Sequence, residues 1–253
     1  MKTFFLRMRY VFIIGACLGF FGYNAFLIQD SVHEKLVELN QIPDSNDYKN
    51  PMFMIDPEAN PKGLKMLKQK AFVESQLLLS GADSIGLAIN LDDSLVGLQI
   101  KGVTIFSSKI SEFEVSRVLD VISVPTYYKL FSKPLSIAEQ RGTIVKEPII
   151  VKKAPKDTIE AAQAEIIPDS LIRPSATLEF MVDGGILLCI THPEEADQNR
   201  FKKLIRQTWH FLTFAVQFKK PDYQPTIKLV IPNDDIIVIY RALPYDAHFA
   251  LKL

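Results

Sequence analysis

The apolar positions change rhythm several times along the chain, and each change marks a boundary. Residues 10–28 form an unbroken apolar run in which Asn24 is the only strongly polar side chain. Residues 31–41 are polar but keep apolar positions at Val32, Leu36 and Leu39, a spacing that continues the run as helix. Residues 43–61 hold four prolines, several Asn and Asp and no period. That is the composition of a linker, with Met52, Phe53, Met54 and Ile55 able to pack. A helical stripe returns at Leu64, Leu67, Ala71, Phe72 and Leu78, with Pro61 suited to its first turn and Gly81 to its end.

Beyond residue 83 the elements shorten. Residues 84–91, 95–100 and 103–110 read as successive strands, with Asp92-Asp93 and Lys101-Gly102 at the corners of a meander. Residues 111–174 are broken by Pro125, Pro134, Pro148, Pro155, Pro168 and Pro174, leaving short strands near 143–151 and a short helix near 156–164. Residues 176–182 and 186–191 flank Asp183-Gly184-Gly185, a hairpin signature because glycine accepts positive φ. Pro193-Glu194-Glu195 opens a long helix through Phe201, Leu204, Ile205, Trp209 and Leu212, with acids early and bases later, as the helix dipole favours. A strand at 226–231, a helix from Pro232 to Leu243 and a strand at 246–253 complete the chain. The pattern predicts an α+β domain over 61–253, with a mostly β core and flanking helices, preceded by one N-terminal transmembrane helix.

The run at 10–28 carries that last expectation. At 1.5 Å rise it reaches about 28 Å, close to a hydrocarbon core of about 30 Å. Lys2, Arg7 and Arg9 precede it, while Gln29, Asp30 and Glu34 follow. The positive-inside rule then puts the N-terminus in the cytoplasm and the rest outside, periplasmic or extracellular. Residues 1–30 read as a stub and signal anchor in the inner (plasma) membrane, and 31–60 as a juxtamembrane helix and linker. Cleavage near Tyr23-Asn24-Ala25, or lipidation at Cys17 after Ile14-Gly15-Ala16, are the alternatives for this segment. Gly15 and Gly19 form a GxxxG pair through which two such helices would dimerise.

Composition removes some function classes. The 253 residues carry 29 Lys+Arg and 29 Asp+Glu, so there is no polyanion footprint and no nucleic-acid partner is expected. There are two cysteines, of which Cys17 falls in the apolar run, so Cys189 has no internal disulfide partner. His33, His192, His210 and His248 are scattered, and no spacing matches a metal-ligand set. No cofactor is expected either, because no phosphate-cradling glycine loop is present.

Three stretches together resemble the catalytic domain of L,D-transpeptidases. They are Ile85-Gly86-Leu87-Ala88-Ile89-Asn90-Leu91 with 95–103, the hairpin strand from Gly184 to Ile190 followed by His192, and Pro232-Asn233-Asp234-Asp235 with Tyr240, Leu243-Pro244 and the last strand. The resemblance covers 84–253 and implies a mostly β fold that cross-links peptidoglycan with a cysteine nucleophile. The family's Ser-His-Gly-Cys signature is missing: Thr226 stands in the place of the cysteine, with Ile227-Lys228 for the apolar–Arg step. A threonine hydroxyl without a neighbouring base is a poor nucleophile. Cys189 and His192 are three residues apart, which puts them on opposite faces of an extended strand. The expectation is a membrane-anchored envelope protein, a pseudoenzyme or binding module with no catalytic residues, that binds another envelope protein or peptidoglycan. The alternative is an active wall transpeptidase or hydrolase centred on His192, with Cys189 and Thr226 as the other candidates.

Overall fold

The meander appears as β1 (Gly86–Asn90), β2 (Leu95–Ile100) and β3 (Val103–Lys109), paired antiparallel in sequence order. In the computed structural model, residues 2–44, 47–56, 59–146, 175–194 and 222–253 are described. The remaining strands are β4 (Glu112–Val115), β5 (Leu135–Gly142), β6 (Leu178–Val182), β7 (Ile186–Thr191), β8 (Thr226–Val230) and β9 (His248–Lys252). Together they form one mixed sheet in the order β3-β2-β1-β9-β5-β6-β7-β8-β4. The β6–β7 hairpin forms where Asp183-Gly184-Gly185 predicts it, with Gly184 at φ 76 and Gly185 at φ 69.

Register explains the core. Leu87 lies opposite Leu98 and Phe249, and Ile89 opposite Val96 and Leu251, so these six side chains share one face. On the other half of the sheet, Phe180, Leu188 and Ile227 align, as do Leu178, Ile190 and Leu229. All of them are buried in one cluster. The helix α5 (Asn233–Ala242) adds Ile236, Ile239 and Tyr240 to it. Its Asp235 accepts a 2.5 Å hydrogen bond from Ser108 of β3.

The chain passes directly from one edge of the sheet to the other. β3 and β4 occupy opposite ends of the strand order, yet only Ile110 and Ser111 separate them in sequence. The Ile110 amide donates to the Ser94 carbonyl beside β2, and the Ser111 amide donates to the Val230 carbonyl of β8.

On the outer face of β1 and β9, Ala88 and Ala250 are small enough for α2 (Pro61–Ser80) to approach and bury Phe72 and Leu79. Asn60 caps α2 by accepting from the Gly63 amide, and Pro61 occupies its first turn. Two short elements that the sequence pattern did not mark are α3 (Arg117–Asp120) and α4 (Val124–Phe131); β4 and β5 were missed with them. Pro125 does not break α4, because the first helical turn has no amide to lose. The cap is completed from far away: Asn40 Oδ1 accepts from the Ser123 amide at 3.0 Å and from the Thr126 hydroxyl at 2.7 Å. The strand expected near 143–151 is not formed over 143–146, and its remainder, like the helices expected at 156–164 and beyond Glu194, lies outside the described residues.

The N-terminal expectation needs correction. A helix is there, α1 (Lys2–Asn40), but among the described residues no helix is long and apolar enough to cross a membrane. The apolar stretch stops at Ile28. The next turns carry Gln29, Asp30, His33, Glu34, Lys35 and Glu38, and the helix ends by burying Leu39 in the protein's own core. Asn24 donates to the Phe20 carbonyl within the helix. Gly15 and Gly19 are exposed, with open space where a Cβ would sit.

Candidate functional site

His192 directly follows β7, whose side chains alternate. Ile186, Leu188 and Ile190 are buried, while Leu187, Cys189 and Thr191 face the other way. His192 continues the buried register, and its Nε2 lies 2.6 Å from Ser175 Oγ. Extending the β6–β7 register, in which Leu178 faces Ile190, places His192 opposite Ala176, one residue from that serine. Serine hydroxyl to imidazole at this distance is the geometry of a nucleophile and its general base.

Among the described residues, the surroundings do not equip the pair for that use. Acyl transfer needs backbone or side-chain donors aimed at the developing oxyanion. The two amides after Ser175 are already spent: that of Ala176 donates to Asn233 Oδ1 at 2.8 Å, and that of Thr177 to Thr143 Oγ1 at 2.9 Å. The Thr143 hydroxyl in turn donates to the Ser175 carbonyl at 3.0 Å. Asn233 of α5 and Thr143 beyond β5 therefore clamp residues 175–177 where β6 begins. The imidazole's hydroxyl partner is one more tie in that clamp.

The other sequence candidates are not brought to His192. Cys189 is a half-buried thiol on the opposite face of β7, beside Glu179 and Lys228 in register. Thr226 pairs with Leu187, five strand positions before His192 and thus roughly 16 Å away. Its amide donates to Ser116 Oγ, and its own hydroxyl donates to the Gln224 carbonyl. His33 and His248 are exposed, and Trp209 and His210 lie outside the described residues. Among the described residues, no group of His, Cys, Asp and Glu is placed to hold a metal ion.

A second feature was hidden from the sequence pattern. The core-facing stripe of α2 is Leu67, Ala71, Phe72, Ser75 and Leu79. On the opposite side, Met66, Val73 and Leu77 are 74%, 49% and 70% exposed. With Lys70 between them they fall at intervals of four, three and four, the seam of a coiled coil. Lys62, Lys65, Lys68 and Lys70 against Glu74 make this helix strongly basic in a chain that is neutral overall. The β2–β3 turn abuts its C-terminal end, where a Cβ on Gly102 would sit 3.2 Å from Ser80. Exposed Leu78, Val103 and Ile105 flank that junction.

Compared with protein-family models, curated proteins and solved structures, the chain finds no significant match.

Proposed function

We propose that the protein is a binding module that docks an amphipathic helix of a partner protein along the solvent face of α2. The observation that supports this reading is the second apolar stripe, Met66, Val73 and Leu77, on a helix whose other face already serves the core. An exposed apolar patch of large side chains at heptad spacing costs solubility, and docking recovers that cost. The charge selects the occupant. Two copies of α2 would oppose their lysines, so a second copy of this chain is disfavoured. A helix with an apolar seam flanked by Asp and Glu is complementary. Peptidoglycan offers no apolar helical face and does not fit the stripe. In this reading, the part that resembles an L,D-transpeptidase domain is a scaffold, and the Ser175–His192 pair is structural.

The test uses the full chain and two designed helical peptides of about three heptads, each with a leucine seam, one flanked by Glu and one by Lys. Fluorescence anisotropy should show the Glu peptide binding in the micromolar range and the Lys peptide at least about tenfold more weakly. Met66→Lys with Leu77→Lys, both on the exposed stripe, should abolish binding without disturbing the fold. Equal binding of the two peptides, or binding indifferent to these substitutions, would overturn the proposal. So would a preference for anionic phosphatidylserine vesicles over the Glu peptide.

A further inference from the structure

On the other side of α2 the lysines meet a different environment. Lys68 lies about 200° around the helix from Met66, away from the docking stripe. It is partly buried, its Nζ 5.0 Å from the ring centroid of Tyr127 in α4. Among the described residues no carboxylate comes within ion-pairing distance of it and no acceptor takes its protons. Tyr127 is also short of an acceptor. It is buried, its oxygen accepts from the Leu253 amide at 3.2 Å, and no described group accepts its own proton.

The neighbouring charges are arranged differently. Lys252 is 3% exposed, and its Nζ is held by Asp92 Oδ2 at 2.9 Å and Gln69 Oε1 at 2.5 Å. Lys65 approaches the same Asp92 oxygen at 3.8 Å. Asp92 is thus engaged twice, and Lys68 feels it, together with Asp120, only at longer range. Desolvation holds the Lys68 ammonium below its ordinary pKa, as it does for a cation that burial has not compensated. Three lysines therefore face two acids here, and the least compensated of the three stands beside a phenol with a spare proton.

We infer that Lys68 and Tyr127 form a binding site for an oxyanion, a phosphate or carboxylate group that takes the Tyr127 proton as a hydrogen bond and pairs with the Lys68 ammonium. Lys65 and Lys252 add positive potential, and the Asp92 carboxylate keeps them from collapsing onto the site. Such a group supplies the acceptors that both donors lack. The site is independent of the docking stripe, since it uses another face of the helix.

The Leu253 amide, which donates to the Tyr127 oxygen, is a built-in reporter. In 1H–15N spectra of the full chain, inorganic phosphate and acetate are titrated against chloride at matched ionic strength. A saturable shift of the Leu253 amide is expected, with Kd on the order of millimolar. Lys68→Met keeps the aliphatic stem over the ring and should weaken binding about tenfold or more. Tyr127→Phe should weaken it as well, while Met66→Lys with Leu77→Lys should leave it unchanged. A response to phosphate alone assigns a phosphoryl ligand, and a response to acetate alone a carboxylate; both together support the shared oxyanion chemistry. No saturable shift beyond that of chloride, or equal affinity in the Lys68→Met chain, would overturn the site.

Discussion

The pair Asp92–Lys252 offers a test of how a buried cation is held. Lys252 sits in β9 with its ammonium out of water, 2.9 Å from Asp92 and 2.5 Å from Gln69. The Asp92 side chain is about one third exposed, so its own desolvation is modest. Asp92→Asn keeps the size and one acceptor but leaves the ammonium without its counter-charge. Breaking a fully buried pair costs about 3–5 kcal/mol. With Gln69 still bound and water near residue 92, a loss of about 2–3 kcal/mol is expected. Lys252→Met is different, because it removes the desolvated charge and leaves a carboxylate that water can reach. Its expected cost is about 1 kcal/mol or less. Equilibrium urea unfolding of the two variants measures the asymmetry. The hydrogen bond from Lys252 holds the Asp92 carboxyl below its ordinary range, ahead of the opposing effect of burial. A depressed folded-state pKa gives stability that is present above the unfolded pKa of about 3.9 and lost as pH falls through the folded one. The wild type should therefore lose this contribution below about pH 4, and Asp92→Asn should lack that part of the acid dependence. Equal losses for the two variants, or a larger loss for Lys252→Met, would refute the reasoning.

Two further outcomes follow from named contacts. Asn40→Ala removes the acceptor shared by the Ser123 amide and the Thr126 hydroxyl, and should cost about 1–2 kcal/mol in urea unfolding. Asn40→Asp, which keeps the acceptor, should cost less. The Tyr128 phenol donates to Glu74, and burial first, then that carboxylate, push its pKa up to about 12. Ultraviolet titration should show one tyrosine ionising near that pH, and Glu74→Gln should bring it down. Because the raised pKa belongs to the folded state, this phenol's share of stability is complete below about pH 10 and fades as pH climbs towards 12.

The sequence announces what local chemistry controls. β2 spans residues 95–100 as its alternation predicts, and the β6–β7 turn falls at the two glycines that adopt positive φ. α4 was lost because Pro125 was weighed as a breaker, although Ser123 just before it caps the helix by accepting from the Thr126 amide, with Asn40 adding a tie from 83 positions earlier. β5 was lost because only Leu135 and Ile137 are buried before the strand turns polar. The insertion of β9 between β1 and β5, parallel to β1, is a long-range choice that no local period encodes. At the site, His192 was visible as a residue type, but Ser175 was not. The register of the hairpin was the signal that would have paired them. The second stripe of α2 was overlooked because the helix was read by its core face alone. The apolar run at the N-terminus was read by length and greasiness, and the burial of Leu39 shows that the end of this helix answers to protein packing.

The junction at Ile110 and Ser111 works as a buckle. Neighbouring amides there are fastened to opposite margins of the β structure, so the two margins stand one peptide unit apart. Parting them means stripping β3 from β2 or β4 from β8. Lengthening this two-residue connection by a few flexible residues would leave every strand pairing in place and free the two margins to move apart.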